Sequence, residues 1–310
     1  FATLFLALVA VDASSRHDFH HLAKHHHRVS RRDTTSKRCK PRPASASLTS
    51  SHTTAVHTTS ATPAKNIAVH TTAAAAKPAS TVKSEGASNL GVIDVSSACG
   101  PSRGTEQVTA VSGPNGHIDF LNCGINSSKG WNPPLIHLNQ LKHVTLAEAR
   151  HTAFSACTDE IIDKFEQYGS QFGVPSIIFA SFAMQESTCN PSTVGGGGEQ
   201  GLMQITKDKC GGAPNGNCKD IDYNIRTGAK YFADTLNSFN GDVLSAVGTY
   251  NGWFHGMTYA DATKAAHSSC CLCQQNIDYL MEWANGWIMG INAYDTSKIR
   301  LGKYFNLDQC

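Results

Sequence analysis

From Thr158 onward, apolar residues recur with the period of an α-helix. Ile161, Ile162, Phe165 and Tyr168 form one stripe. Thr158 is placed to cap it, Asp159 and Glu160 fill the first turn, and Gly173-Val174-Pro175 ends it. The next segment takes Ser176 as its cap and runs from Ile177 to about Ser187. It is apolar nearly all round, which predicts a buried helix. Further helices are predicted at 224–239, 242–250, 258–268 and 275–289. Period-two alternation is scarce. Residues 96–145 carry the turn signals Gly100-Pro101, Gly113-Pro114 and Asn115-Gly116 between short apolar pieces such as QVTAV and HIDFL. They read as an N-terminal arm with one or two short strands, tied down by Cys99 and Cys123. The expected fold class is mainly α with a small β contribution.

Upstream of this region the pattern gives no core. Residues 1–15, FATLFLALVAVDASS, read as a truncated secretory signal peptide. Residues 16–38 are basic and His-rich and hold the dibasic pairs Arg31-Arg32 and Lys37-Arg38, as in a pro-segment cut by a kexin-type protease. Residues 39–95 are dominated by Ser, Thr, Ala and Pro. Too few large apolar side chains are present to offset chain entropy, so a disordered, O-glycosylation-prone linker is expected. The catalytic domain is expected to occupy 146–310, preceded by the arm.

Composition agrees with export. The chain has 310 residues and a net charge of only +2, which indicates neither nucleic-acid nor membrane attraction, and no later stretch is long enough to span a bilayer. Of eleven cysteines, ten lie between Cys99 and Cys310, which permits up to five disulfides; Cys39 stands apart. Their connectivity is open. Zinc is the rival use for Cys270-Cys271-x-Cys273, but no paired C-x-x-C knuckles accompany it. Asn126-Ser127-Ser128 is an N-glycosylation sequon.

One carboxylate stands out. Glu186 closes the apolar helix, where burial and the negative end of the helix dipole both favour the neutral acid, the form a general acid requires. A glycine run follows. Gly196-x-Gly198-x-x-Gly201 matches the dinucleotide fingerprint formally, yet TCNPSTV before it is a poor strand, and no Gly-Lys-Ser/Thr follows to make a P-loop. The glycines read instead as backbone able to approach an extended ligand closely.

Four pieces in order then carry a resemblance. QES-x-x-NP from Gln185, GLMQI from Gly201, N-I-x-x-G-x-x-Y-F from Asn224 and SAVGTYNGW from Ser245 resemble the soluble lytic transglycosylase and goose-type lysozyme superfamily over about 157–255. The arm and the Cys-rich tail resemble additions seen in secreted fungal members. The resemblance implies a lysozyme-like helical fold (α+β) and makes Glu186 the single catalytic acid, with Ser187 as its hydrogen-bonding neighbour. Gly201, Met203 and Gln204 then line the sugar groove, and Tyr250 with Asn251 positions the acid and the N-acetyl group. Gly201 is accounted for by backbone geometry, Asn224 by helix capping, and Met203 equally by core packing. Trp253 and Trp287 are candidates for sugar stacking or for plain burial.

Most glycosidases use two carboxylates. Candidates for a second are Glu199, Asp208, Asp220 and Asp222. Glu199 is the possible partner in the glycine-rich loop, although a solvated loop charge explains it as well. Goose-type lysozymes have an Asp two residues beyond GLMQ, where this chain has Thr206. That departure resembles the lytic transglycosylases, which use one Glu and form a 1,6-anhydro product. The implied substrate is peptidoglycan or a related N-acetylated polysaccharide, cleaved by a secreted monomer with no cofactor or metal. The alternatives are a hydrolytic lysozyme, a chitin-directed glycosidase and a non-catalytic cell-wall glycan binder.

Overall fold

The computed structural model describes Ser88 and residues 90–310. The signal, pro-segment and most of the linker, with Cys39, lie outside the described residues. The last linker positions do not. Val92 is buried, its N–H donates to Pro114 O at 2.8 Å, and Ser88 pairs with His143 in an antiparallel bridge. Residues 90–95, given to the linker by composition, are thus held against the arm, where Val92 finds an apolar seat.

The arm holds a two-residue antiparallel pair, β1 (Ser96–Ser97) and β2 (Gly100–Pro101), in register Ser96↔Pro101. HIDFL is no strand: Ile118–Leu121 is a helical turn, α1, with His117 accepting from the Asp119 N–H at its start. Leu146–Ala149, α2, opens with a reciprocal capping box between Thr145 and Glu148. Helix α3 (Asp159–Phe172) follows its predicted stripe, with Ile161, Ile162, Phe165 and Tyr168 all buried. Helix α4 (Ser176–Ser187) includes Ser176 as its first residue. Pro175 takes the N-cap position, since its ring restrains φ near the value the helix entry needs.

Helix α5 (Ile221–Ser238) starts earlier than its apolar pattern suggests, because Asp220 accepts from the Tyr223 N–H at 2.9 Å and supplies the cap expected of Asn224. Helix α6 (Val243–Tyr250) matches expectation. Helix α7 (Tyr259–Thr263) is shorter than predicted. The 275–289 segment divides at Gly286 into α8 (Tyr279–Asn285) and a 3-10 turn, Trp287–Met289.

The core is organised around α4, all twelve residues of which are buried. α2, α3, α8 and the Trp287–Met289 turn pack on it, while α5 joins α3 to α6. Phe182 of α4 stacks on Tyr250 at 4.2 Å between ring centres and also meets Phe232 and Trp283. Trp253 packs edge-on to Trp131 and Trp287 against Phe154, so both are core residues rather than exposed sugar platforms. All ten cysteines from Cys99 onward are disulfide-bonded, as Cys99–Cys123, Cys157–Cys189, Cys210–Cys218, Cys270–Cys273 and Cys271–Cys310. Among the described residues no helix is long and apolar enough to cross a membrane.

Candidate active site

A buried helix normally ends in residues that reach water, but α4 ends on a carboxylate that does not. Glu186 is 1 % exposed, and its Oε1 accepts a hydrogen bond of 2.7 Å from the Tyr279 hydroxyl at the start of α8. A buried carboxylate needs such a donor. Burial, and then the Glu186 charge beside them, push the hydroxyls of Tyr250 and Tyr279 well above the usual phenol range. Both stay protonated, so Tyr279 is the donor to Glu186.

Past Ser187 the chain turns sharply. Thr188 and Cys189 both adopt positive φ (53° and 57°), and the Cys157–Cys189 disulfide fastens this turn to the residue before the Thr158 cap of α3. Ser187 Oγ donates to Ala183 O and to Leu202 O, both at 2.9 Å, joining the helix end to the GLMQ segment. That segment is fixed from three sides. Asn224 Oδ1 accepts from the Met203 N–H at 2.8 Å, and its Nδ2 donates to Gln200 O and Cys218 O. Tyr250 donates to Met203 O at 2.9 Å. The Met203 side chain is fully buried over Gly228 of α5, where an added Cβ would come within 2.6 Å of it. Gly201 has φ +74°, and a Cβ there would meet Asn224, so glycine is required on both counts. Gln204, also at positive φ (45°), donates from Nε2 to Gly201 O at 2.7 Å.

The glycine-rich loop folds in on Glu199. This carboxylate is 4 % exposed rather than solvated, and it accepts from the Gly197 N–H at 3.0 Å while Gly195 N–H donates to its backbone oxygen. The other acidic candidates have structural partners. Asp208 pairs with Lys209, Asp220 caps α5, and Asp222 takes Lys164 and the Tyr168 hydroxyl. Thr206 sits at the head of the 3-10 turn Lys207–Cys210. Asn251, at the end of α6, is fully buried and donates to Asn276 O at 3.4 Å.

The structure thus gathers Ser187, Gly201, Met203, Gln204 and Tyr250 into one bonded segment next in the chain to Glu186, with Glu199 in the loop just before GLMQ. Sequence reasoning missed Tyr279, which lies beyond the similar segment. Its only signal was chemical: a tyrosine in the apolar run YLMEWANGWIM must find a polar partner once buried. Among the described residues no group of three or more His, Cys, Asp or Glu is placed to hold a metal ion. Chemically, the arrangement can hold or release one proton at Glu186 in a site from which bulk water is excluded.

The constellation centres on a buried carboxylate at a helix end, held by a phenol. Residues 163–266 match the family model of the Transglycosylase SLT domain, which bears out the resemblance read from the motifs. Two solved structures are similar to the chain. One is a complex of the 70-kDa soluble lytic transglycosylase with bulgecin A, at 26% identity over 30% of this chain and 16% of that one, with a TM-score of 0.28. The other is an inactive mutant of the lytic transglycosylase Slt from Pseudomonas aeruginosa, at 21% identity over 40% of this chain and 20% of that one, also at 0.28. The chain spans about a fifth or less of the length of either.

Proposed function

We propose that this protein is a secreted enzyme that cleaves the β-1,4 bonds between N-acetylmuramic acid and N-acetylglucosamine in bacterial peptidoglycan. The observation that carries the reading is Glu186, a carboxylate buried at the end of α4 and held by Tyr279, inside the segment that matches the SLT domain. Protonated Glu186 gives its proton to the glycosidic oxygen as the bond to C1 breaks. The substrate's N-acetyl oxygen closes on C1 meanwhile. The Glu186 carboxylate then takes the proton of the muramoyl C6 hydroxyl, whose oxygen displaces the N-acetyl oxygen from C1. The product is a 1,6-anhydro sugar and the acid is restored. Because Glu186 is 1 % exposed, the groove has to open at this point before a glycosidic oxygen reaches it.

The burial of Glu199 favours a second reading, in which this carboxylate activates water and the enzyme is a hydrolytic lysozyme. Mass spectrometry of digested peptidoglycan separates the two. Anhydro-muramoyl ends support the one-carboxylate route, and reducing ends support the hydrolase. Glu186→Gln is expected to lower turnover by at least about a thousandfold with the fold intact, while Glu199→Gln leaves the anhydro product unchanged. Clearing of bacterial walls by Glu186→Gln at the wild-type rate would overturn the assignment. Wall binding without any cleavage would make the protein a glycan binder.

A further inference from the structure

On the outer face of α5 an open basin of about 380 Å3 is lined by Lys209, Arg226, Thr227, Lys230, Tyr231 and Asp234. Arg226, Lys230 and Asp234 stand one helical turn apart along a single exposed row, and Thr227 and Tyr231 form the adjoining row. Lys209 reaches in from the 3-10 turn after GLMQ, its ammonium 5.2 Å from the centre of the Tyr231 ring. The lining therefore carries three cations against one carboxylate.

The existing pairs leave these cations available. Lys230–Asp234 is an exposed pair on one helix, and Lys209–Asp208 sits at the surface with its carboxylate largely in water, so both exchange readily for a stronger acceptor. Arg226 makes no direct ion pair among the described residues, although its charge acts on Asp222; its guanidinium lies 5.7 Å from the Tyr223 ring centre. The floor packs, through the buried Tyr250 ring, on the segment beside Glu186. Tyr231 meets Tyr250 at 5.8 Å between ring centres, and Tyr250 in turn holds Met203 O. Burial pushes the Tyr231 hydroxyl up to about 12, so it remains a neutral donor at any pH where the protein works.

We propose that the basin is a subsite for the carboxylate-bearing peptide that peptidoglycan carries on its muramic acid. Its carboxylates sit against Arg226 and Lys230 while the sugar chain passes on the Tyr231 side toward Glu186. The assignment rests on the function proposed above, which is what supplies a glycan with acidic substituents. It distinguishes peptidoglycan from chitin, whose sugar chain is neutral.

The test is direct binding, read separately from catalysis. The free stem peptide L-Ala-γ-D-Glu-diaminopimelate-D-Ala is titrated into the wild type, Glu186→Gln and the double variant Arg226→Gln/Lys230→Gln, with Tyr231 and Thr227 resonances followed by NMR. The first two are expected to bind alike, and the double variant about tenfold more weakly, as loss of two exposed charge contacts dictates. A glycerol phosphate oligomer is expected not to displace the peptide. On glycan strands the double variant should lower kcat/KM by a similar factor with stem peptides present, and not at all once an amidase has removed them. Peptide binding with no cleavage by the wild type would remove the enzymatic reading and keep the subsite. Equal peptide affinity of wild type and double variant, no binding, or displacement by the phosphate oligomer at equal concentration would overturn it.

Discussion

At the residue scale, a phenol offsets part of the cost of burying a carboxylate. Tyr279 donates 2.7 Å to Glu186, and burial keeps that phenol from ionising. Tyr279→Phe removes the donor and leaves the ring in place, so packing survives while the carboxylate loses a charge-assisted bond worth about 1.5–3 kcal/mol. The expected outcome is a fall in kcat of roughly ten- to a hundredfold, with the fold intact in a thermal melt. An unchanged kcat would show that Tyr279 merely fills space. Asn224 is the second key residue. Its amide makes three hydrogen bonds to the backbone at Gln200, Met203 and Cys218 from full burial, so Asn224→Ala should destabilise the fold by about 2–4 kcal/mol, measured by chemical denaturation. Glu186 was legible in sequence because a charge at the end of an apolar run is conspicuous. Asn224 was read as a cap because local sequence shows only the helix start. The loop it binds lies more than twenty residues away, and no periodicity carries that partnership.

At the scale of elements, helices α3 and α6 were legible almost to the residue, since amphipathic period and turn residues agree there. The shorter ends were not. Segment 275–289 is continuous in its apolar pattern, yet it breaks at Gly286, where an added Cβ would strike Leu301 and Ala293 from the tail; packing from elsewhere sets that boundary. The end of α4 is the most informative element. Thr188 takes the left-handed cap conformation, φ 53° and ψ 41°, that a β-branched residue tolerates poorly and glycine adopts freely. The turn sets the direction in which the chain leaves Glu186 and is retained by the Cys157–Cys189 bond. Thr188→Gly is expected to relieve about 1 kcal/mol and raise the melting temperature by a few degrees. If this strain serves the site, the stabilised variant will have lower activity, as Glu186 gains freedom to move.

At the scale of the whole molecule, the C-terminal tail closes the arm and α8 into one unit around the site. Asp278, the residue before Tyr279, accepts from the backbone N–H groups of Lys303, Tyr304 and Phe305, so the tail holds the start of the helix that carries the phenol. Cys271–Cys310 fixes the chain end to the same region, and the Lys303 ammonium reaches across to Asp119 of α1, which Arg103 also meets at 2.8 Å. This clasp gives the fold a pH signature of determinate sign. Burial raises the Asp119 pKa, but hydrogen bonds from Lys303 and Arg103 outweigh it, and the net shift is downward. The folded pKa therefore lies below the unfolded value of about 3.9. The stabilisation is fully present above that value and is lost as pH falls toward the folded pKa, because the unfolded chain then binds more protons. Asp222 adds in the same direction, held down first by Lys164. Thermal melts of the wild type and Asp119→Asn should accordingly differ at neutral pH, by somewhat more once the adjacent His117 is protonated, and the difference should shrink steadily below about pH 4. High salt should reduce the gap at neutral pH, since the three charges are partly exposed. A gap independent of pH would mean that Asp119 acts through packing alone, and that the tail is held by Asp278 and the disulfide without help from charge.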